Sequence, residues 1–319
     1  MKKVAIGAPT YNDSERIKNL MNSIITFTDY PEDDYDLVIL DDGSQNQEHI
    51  KDLDEFSAAY NIPFLKNGSN KGIPYSWNRL TEHHDAEYVV LFNDDIQIKN
   101  KDWLNNFIYF MDNNKHAGCC GFPLLHVDPK NGKAAEKYDP PNEDVPPGRV
   151  GSPVGCAFGF RKKLWEAVRQ PDGSTGFWSD LVSFYEELDF GFEIAKMGYG
   201  CFMIPSPAVE HWGSQTFSNN ANLATRIITE DALSKREYLD IMSKAKSLPI
   251  PFATHQEIAD KHNAALRMDY SRVMFAKKWG SDDYHNMPQK YVHAEIVDPM
   301  ERKLTKWIDK DGKEQEAIA

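Results

Sequence analysis

The chain has 319 residues, 41% of them hydrophobic and 27% charged, with a net charge of −13. That length and balance fit one large globular domain, or a domain with an appendage. The negative charge argues against a protein that grips nucleic acid over its whole surface, because phosphate neutralisation needs clustered Lys and Arg.

The stretch before Pro9 is too short for a signal h-region, and no run approaches the ~18 apolar residues of a membrane-spanning helix. A cytoplasmic protein without an integral membrane segment is expected. Cys119, Cys120, Cys156 and Cys201 have no metal-binding spacing and are expected to be reduced, mostly buried thiols.

Val4–Ala8 reads as a short buried strand ending at Pro9-Thr10-Tyr11. Asn12, Asp13 or Ser14 can cap the helix that follows. In that helix Ile17, Leu20, Met21, Ile24 and Ile25 form an apolar stripe. Asp36–Leu40 is a second strand, ending in Asp41-Asp42-Gly43-Ser44, and a helix follows through Phe56. Ile62–Leu65 is a third strand. Asn67–Gly72 is a glycine-rich turn before a helix over Ile73–Leu80. Tyr88–Phe92 is a continuous apolar run that meets Asn93-Asp94-Asp95. Two carboxylates ending a buried strand need water, a partner or a metal to offset desolvation. The bland alternative is a surface turn, for which Asn-Asp-Asp is good chemistry.

A helix beginning near Trp103 turns Trp103, Phe107 and Phe110 inward, and Gly118–Leu125 reads as a further strand. Asp128–Arg149 is a polar, Pro-rich excursion: a simple insertion, or a lid. Val154–Phe160 resumes strand character, Arg161–Val168 a helix, Glu186–Met197 another helix and Tyr199–Ile204 a strand. After about residue 220 helical segments (Asn222–Ser247, Thr254–Trp279) precede a charged tail, Asp298–Ala319, with no strand of note. Alternating strands and helices imply an α/β fold with a mixed, mostly parallel sheet flanked by helices. A domain over residues 1–219 with a helical C-terminal appendage over 220–319 follows. The polar clusters at Thr10-Tyr11-Asn12, Asp41-Asp42 and Asp94-Asp95 would then share the carboxyl edge of the sheet, where such folds bind ligands.

The order of these clusters resembles the GT-A glycosyltransferases, specifically the family 2 of inverting, nucleotide-sugar-dependent enzymes. The likeness covers about residues 3–217. It rests on Pro9-Thr10-Tyr11-Asn12, Asp41-Asp42-Gly43-Ser44, Asn70-Lys71-Gly72 with Asn78, and Asn93-Asp94-Asp95 at the DXD position. Gly155-Cys156-Ala157-Phe158, Tyr185-Glu186-Glu187-Leu188-Asp189 at the acidic "ED" position and His211 complete it. Lys278-Trp279-Gly280 resembles an element in the C-terminal parts of some members. Two departures stand out: Asn93 opens the DXD motif, and the ED motif reads Glu-Glu.

The resemblance implies a GT-A Rossmann-like domain that moves a sugar from a nucleoside diphosphate donor, UDP first, to an acceptor hydroxyl with inversion. It implies Mn²⁺ or Mg²⁺ to neutralise the diphosphate, with Asp95 as first ligand and His211 as second. A structural histidine beside Trp212 is the plainer role for His211. Asp94 would bond the ribose or help hold the metal, and Asp42 would accept from the base's imide N–H. Pro9 and Tyr11 would line the base pocket, and Asn70 and Lys71 would lie on the donor, a solvated lysine being the alternative. Glu187, with Glu186 second, would be the general base. Asp41 would brace its own turn, Asp189 would position the base or cap its helix, and Trp178 would be a sugar platform or core. The acceptor stays open: a glycan first, a protein or a modified nucleic-acid base also. A nucleotidyltransferase would need a glycine-rich basic loop after the first strand, where the chain has Gly7-Ala8-Pro9-Thr10-Tyr11-Asn12. A sugar-nucleotide or glycan binder without catalysis would have no need of both a metal carboxylate and a base.

Overall fold

The computed structural model describes residues 1–127, 132, 149–150, 155–204, 206, 208–212, 264–280, 306–308 and 314–316. The Asp128–Arg149 excursion (apart from residues 132 and 149), the Asn222–Ser247 helix and the boundary near residue 220 lie outside the described residues, as does most of the tail.

The first half alternates as expected: β1 (Lys2–Thr10), α1 (Ser14–Phe27), β2 (Tyr35–Asp41), α2 (Gln47–Tyr60), β3 (Phe64–Lys66), α3 (Ile73–His83) and β4 (Ala86–Phe92). Then come β5 (Ile96–Gln97), α4 (Trp103–Asn113), β6 (Ala117–Gly121), β7 (Leu124–His126), β8 (Arg149–Val150), β9 (Ala157–Arg161) and α5 (Lys162–Ala167). The rest are α6 (Glu186–Lys196), β10 (Gly200–Met203), β11 (Val209–His211), α7 (Ala264–Trp279), β12 (Lys306–Ile308) and β13 (Glu314–Glu316). An eight-stranded sheet runs β3-β2-β1-β4-β9-β6-β10-β8. Its first four strands are parallel, and β9 lies antiparallel between β4 and β6. A small second sheet, β5-β11-β7, crosses the carboxyl edge.

Successive residues of the inner strands face opposite sides. Val4, Ile6 and Val90 pack with Leu20, Leu53 and Phe107 from α1, α2 and α4. Ala5, Val38, Val89 and Leu91 pack with Trp77, Leu164 and Phe190 from α3, α5 and α6. Each fully buried large side chain of this kind stabilises by about 1.5–3 kcal/mol. Asp13 caps α1, its Oδ1 accepting from the Arg16 N–H at 3.1 Å, a contact worth about 1 kcal/mol.

The structure corrects the sequence reading in four places. Ile25 falls off the apolar stripe of α1 and is exposed, while Phe27 packs against the core. The single strand expected over Gly118–Leu125 is two, β6 and β7, broken at Phe122-Pro123 because the second half leaves for the small sheet. The strand expected from Val154 begins at Ala157. The charged tail holds a small antiparallel hairpin, β12–β13, where no strand was expected.

Pro9 sits buried inside β1 opposite Leu40 of β2. A proline is tolerated there because the ladder to β4 ends at Gly7↔Leu91, so no partner needs its missing N–H.

Candidate active site

The loops after β1, β2 and β3 meet at the carboxyl edge. Asp41 is 1% exposed and accepts from the Gly43 N–H (3.1 Å) and the Ser44 N–H (3.0 Å), with the Ser44 hydroxyl and His49 also on it. Burial opposes its charge, but the bonds from His49 and Ser44 outweigh burial and hold the carboxyl below its ordinary value. Asp41 thus braces its own turn, as the sequence suggested. The Asp42 carboxylate accepts from Asn67 Nδ2 (2.6 Å), the Lys71 N–H (2.9 Å) and the Gly72 N–H (3.0 Å). Burial still lifts it to about 6.

Asn12, in the left-handed region with φ 56°, accepts from the Gln45 and Asn46 N–H groups and fastens the β1 loop to the β2 loop. Gly72, with φ +88°, has no room for a side chain: a Cβ would lie 2.2 Å from the Val182 carbonyl oxygen. That oxygen accepts from the Ile73 N–H at 3.0 Å, so the loop after β3 is pressed against the segment that leads to α6. Asn70 is buried and accepts from Arg267 Nη2 at 3.0 Å. Tyr11 is partly buried, which raises its phenol.

The second carboxylate group lies one strand away. Thr10 Oγ1 donates to Asp94 Oδ2 at 2.8 Å, and Arg16 Nη1 stands 3.8 Å from Asp94 Oδ1. Burial lifts the Asp94 carboxyl to about 7 against the pull of Arg16. Asp95 is 8% exposed. Its Oδ2 lies 3.4 Å from His211 Nε2, and its Oδ1 has no hydrogen-bond partner among the described residues. The register of the small sheet makes this meeting: His211 pairs with Ile96 on one side and with His126 on the other. The Trp212 N–H donates to the Asp95 carbonyl at 2.9 Å. His211 Nδ1 and His126 Nδ1 are 3.0 Å apart, so one must donate to the other. Burial, and then His211, hold the His126 imidazole below its ordinary value.

The acidic pair at the start of α6 completes the edge. Phe184 and Tyr185 both take positive φ, 71° and 68°, a conformation that costs an L-residue about 1–2 kcal/mol. The turn throws Glu186 and Glu187 toward the strand edge. Gly155 makes the space: a Cβ there would come within 2.9 Å of the Glu187 carboxyl carbon. The adjacent Cys156 carbonyl accepts from the Asn93 N–H at 2.9 Å. A single backbone step therefore separates the glutamate from the Asn93-Asp94-Asp95 turn. Burial pushes the Cys156 thiol well up, helped by the charges of Asp95 and Glu187. Glu186 is buried with its Oε2 unbonded among the described residues; burial and then Glu187 raise its carboxyl well above the ordinary value. Burial lifts Glu187 to about 7.

Asp189 does not cap the helix. It is 0% exposed and accepts from Trp279 Nε1 (2.8 Å) and Gln170 Nε2 (3.0 Å), with Lys278 Nζ at 2.6 Å. Trp178 packs with Leu181, Val182, Phe192, Phe275 and Trp279, the core role rather than the platform. The four cysteines are free, and Cys119, Cys120 and Cys201 are buried. No described helix is long and apolar enough to cross a membrane.

Among the described residues no three His, Cys, Asp or Glu side chains could hold a metal ion by themselves. An open pair does exist. The Asp95 carboxylate, with Oδ2 beside His211 Nε2 and Oδ1 unbonded among the described residues, makes with that imidazole a fitting ligand set for a hard divalent cation that takes its other ligands from water and phosphate. Arg16, His126, Gly155 and Arg267 join the site without having been singled out from the sequence, apart from Gly155 as part of a motif. Arg16 and Asp94 are far apart in the chain, as are His126 and His211, and no sequence spacing links them.

A doubly wound sheet with a β9-type antiparallel insertion and an acidic carboxyl edge is the GT-A architecture. The sequence profile of glycosyl transferase family 2 matches residues 5–169, and the chain belongs to that family. Glycosyltransferase AglE of Haloferax volcanii is 26% identical over 138 residues, 43% of this chain and 44% of that protein. The matched stretches span less than half of each of the curated relatives. Among solved structures, GalNAc-T7 with UDP, GalNAc and Mn²⁺ superposes with a TM-score of 0.57 at 12% identity, covering 82% of this chain and 55% of that one. Staphylococcus aureus TarS residues 1–349 give 0.51 at 16% identity, covering 99% and 97%. At those identities the likeness concerns the fold.

Proposed function

We propose that the protein is a metal-dependent, inverting glycosyltransferase that moves a sugar from a nucleoside diphosphate, with UDP as the first choice, to an acceptor hydroxyl. The observation that carries this is the short span from Asp95–His211 to Glu187, bridged by Gly155-Cys156 along one strand edge. Family membership and the Mn²⁺ and UDP of one structural neighbour support it.

Asp95 and His211 would hold the Mn²⁺ or Mg²⁺ ion, which when bound neutralises the diphosphate leaving group. For His211 to offer the Nε2 lone pair, its Nδ1 must carry the proton and His126 Nδ1 must accept it. Pro9, Tyr11, Asp42, Asn70 and Lys71 surround the nucleoside, and Asp94, held by Thr10 beside Arg16, faces the ribose. Asp42 already accepts from the Lys71 and Gly72 N–H groups, so it both shapes the donor loop and reads the base.

Glu187 takes the acceptor's hydroxyl proton as that oxygen bonds to the anomeric carbon and the bond from carbon to phosphate oxygen breaks. A carboxyl near 7 suits the task, since it is basic enough to accept a proton yet ionised in part at neutral pH. Glu186, deeper and also raised by burial, is the second candidate base. A glycan hydroxyl is the acceptor that fits best, with a hydroxylated nucleic-acid base as the second; the net charge of −13 weighs against the latter. Family membership weighs against the nucleotidyltransferase alternative, and a non-catalytic binder leaves the Glu186–Glu187 pair without a task.

The test is a thermal-shift series with nucleoside diphosphates, with and without Mn²⁺, followed by hydrolysis of a nucleotide-sugar panel. UDP at about 100 times its dissociation constant should stabilise by about 2.7 kcal/mol, only with the metal present, and Asp95→Ala should abolish the effect. A panel with no metal-dependent shift would overturn the proposal.

A further inference from the structure

Helix α7 lies beyond the family-matched stretch, which ends at residue 169. Its inward face nonetheless touches every part of the base side in turn. Arg267 Nη2 donates to Asn70 of the donor loop at 3.0 Å. One helical turn on, Ser271 Oγ donates to the Ser183 carbonyl at 2.7 Å, immediately before the two left-handed residues. A turn further, the Phe275 ring lies 5.1 Å from that of Tyr185 and 5.8 Å from that of Phe192. At the end, Lys278 Nζ reaches Asp189 (2.6 Å), Glu193 (2.8 Å) and Gln170 (2.6 Å), and Trp279 Nε1 donates to Asp189 at 2.8 Å. Positions 267, 271, 275 and 278 fall on one face at helical spacing. Over eleven residues that face spans about 17 Å.

We propose that α7 is a positioning strap that ties the donor loop to the glutamate turn and holds Phe184 and Tyr185 in their left-handed conformation. A strained turn persists only where its surroundings over-determine it. Here Ser271 fixes the backbone before the turn, Phe275 covers the second strained side chain, and Lys278 fixes α6 a few residues after it. An apolar helix alone could cover this face with loose register. A buried lysine between two carboxylates sets the register, because any slip leaves charges unpaired in the interior. Ser271 and Lys278 are thus positioning residues that act through Glu186 and Glu187, resting as this does on one of those glutamates being the base.

The test compares Ser271→Ala, the milder change, and Lys278→Met with the wild-type full chain by hydrogen exchange and by kinetics. Amide exchange over residues 183–189 should rise about tenfold or more in both variants, with β1 and β4 unchanged. The kcat should fall about tenfold or more, while the Kd for UDP with Mn²⁺ stays within about twofold, since a small misplacement of a reacting group is costly. Unchanged exchange at 183–189, or exchange raised equally in β1 and β4, would overturn the strap and leave only general packing. A loosened turn with unchanged kcat would overturn it too. If the wild type turns over no donor, the functional proposal has failed, and the exchange pattern alone still decides the strap.

Discussion

The two sides of the proposed catalytic edge, the proposed donor side and the proposed base side, hold their carboxylates in opposite ways. On the donor side Asp41 and Asp42 accept mainly from nearby loops: Gly43, Ser44 and His49, and Asn67, Lys71 and Gly72. Their loops are closed on themselves before any ligand arrives. On the base side Glu186 keeps an oxygen unbonded among the described residues, Glu187 sits on a backbone gap at Gly155, and supports come from a helix about 90 residues further along the chain. The difference divides labour: a satisfied carboxylate shapes a loop and recognises, whereas an unsatisfied one keeps capacity to take a proton or a metal.

The strongest way to break this contrast is Glu187→Gln, which should lower kcat by about 10²–10⁴ and leave UDP–Mn²⁺ binding, measured by calorimetry, unchanged. Retained turnover would move the base to Glu186. Next, His126→Ala should weaken Mn²⁺ affinity by about 10–100-fold in the presence of UDP, with thermal stability in EDTA little altered. An unchanged affinity would mean that the His126–His211 contact does not orient a ligand.

On the donor side the expected loss is of stability. Asp42→Asn puts an amide where three donors converge and should cost about 1–3 kcal/mol in urea unfolding; a neutral result would deny the closed-loop half of the contrast. The smallest effect concerns pH. The folded Glu187 carboxyl lies at about 7 against an ordinary 4.5, so the folded chain binds that proton more tightly. Its contribution to stability is complete below 4.5 and is lost as pH rises through about 7. Glu187→Gln escapes that loss, so its melting temperature relative to wild type should climb between about pH 5 and pH 8. A flat difference would place the glutamate in an ordinary, solvated setting.

Much of the donor side was legible in the sequence because its determinants are local. The alternation of apolar runs gave β1, β2 and β4, the run Asn12-Asp13-Ser14 gave the start of α1, and Asp-Asp-Gly-Ser gave a turn. The base side was legible as a motif but not as geometry. Glu186 and Glu187 stood out, but nothing near them signalled two successive left-handed aromatics, since bulky residues rarely adopt that conformation. The pairing of His211 with His126 depends on the register of a three-stranded sheet whose strands come from three distant segments. Periodicity placed a helix over Thr254–Trp279, and the structure describes it from Ala264, but not what it grips. Lys278 stood in the sequence as part of Lys278-Trp279-Gly280, and folding set it between Asp189 and Glu193.

Cys156 has a consequence of its own. Thiol reactivity belongs to the thiolate, and a thiolate here would face Asp95 and Glu187 from a half-buried position. The sulfur therefore stays protonated and chemically quiet at neutral pH. At this edge the cysteine serves as a compact, mostly apolar spacer between the Asn93 turn and Glu187.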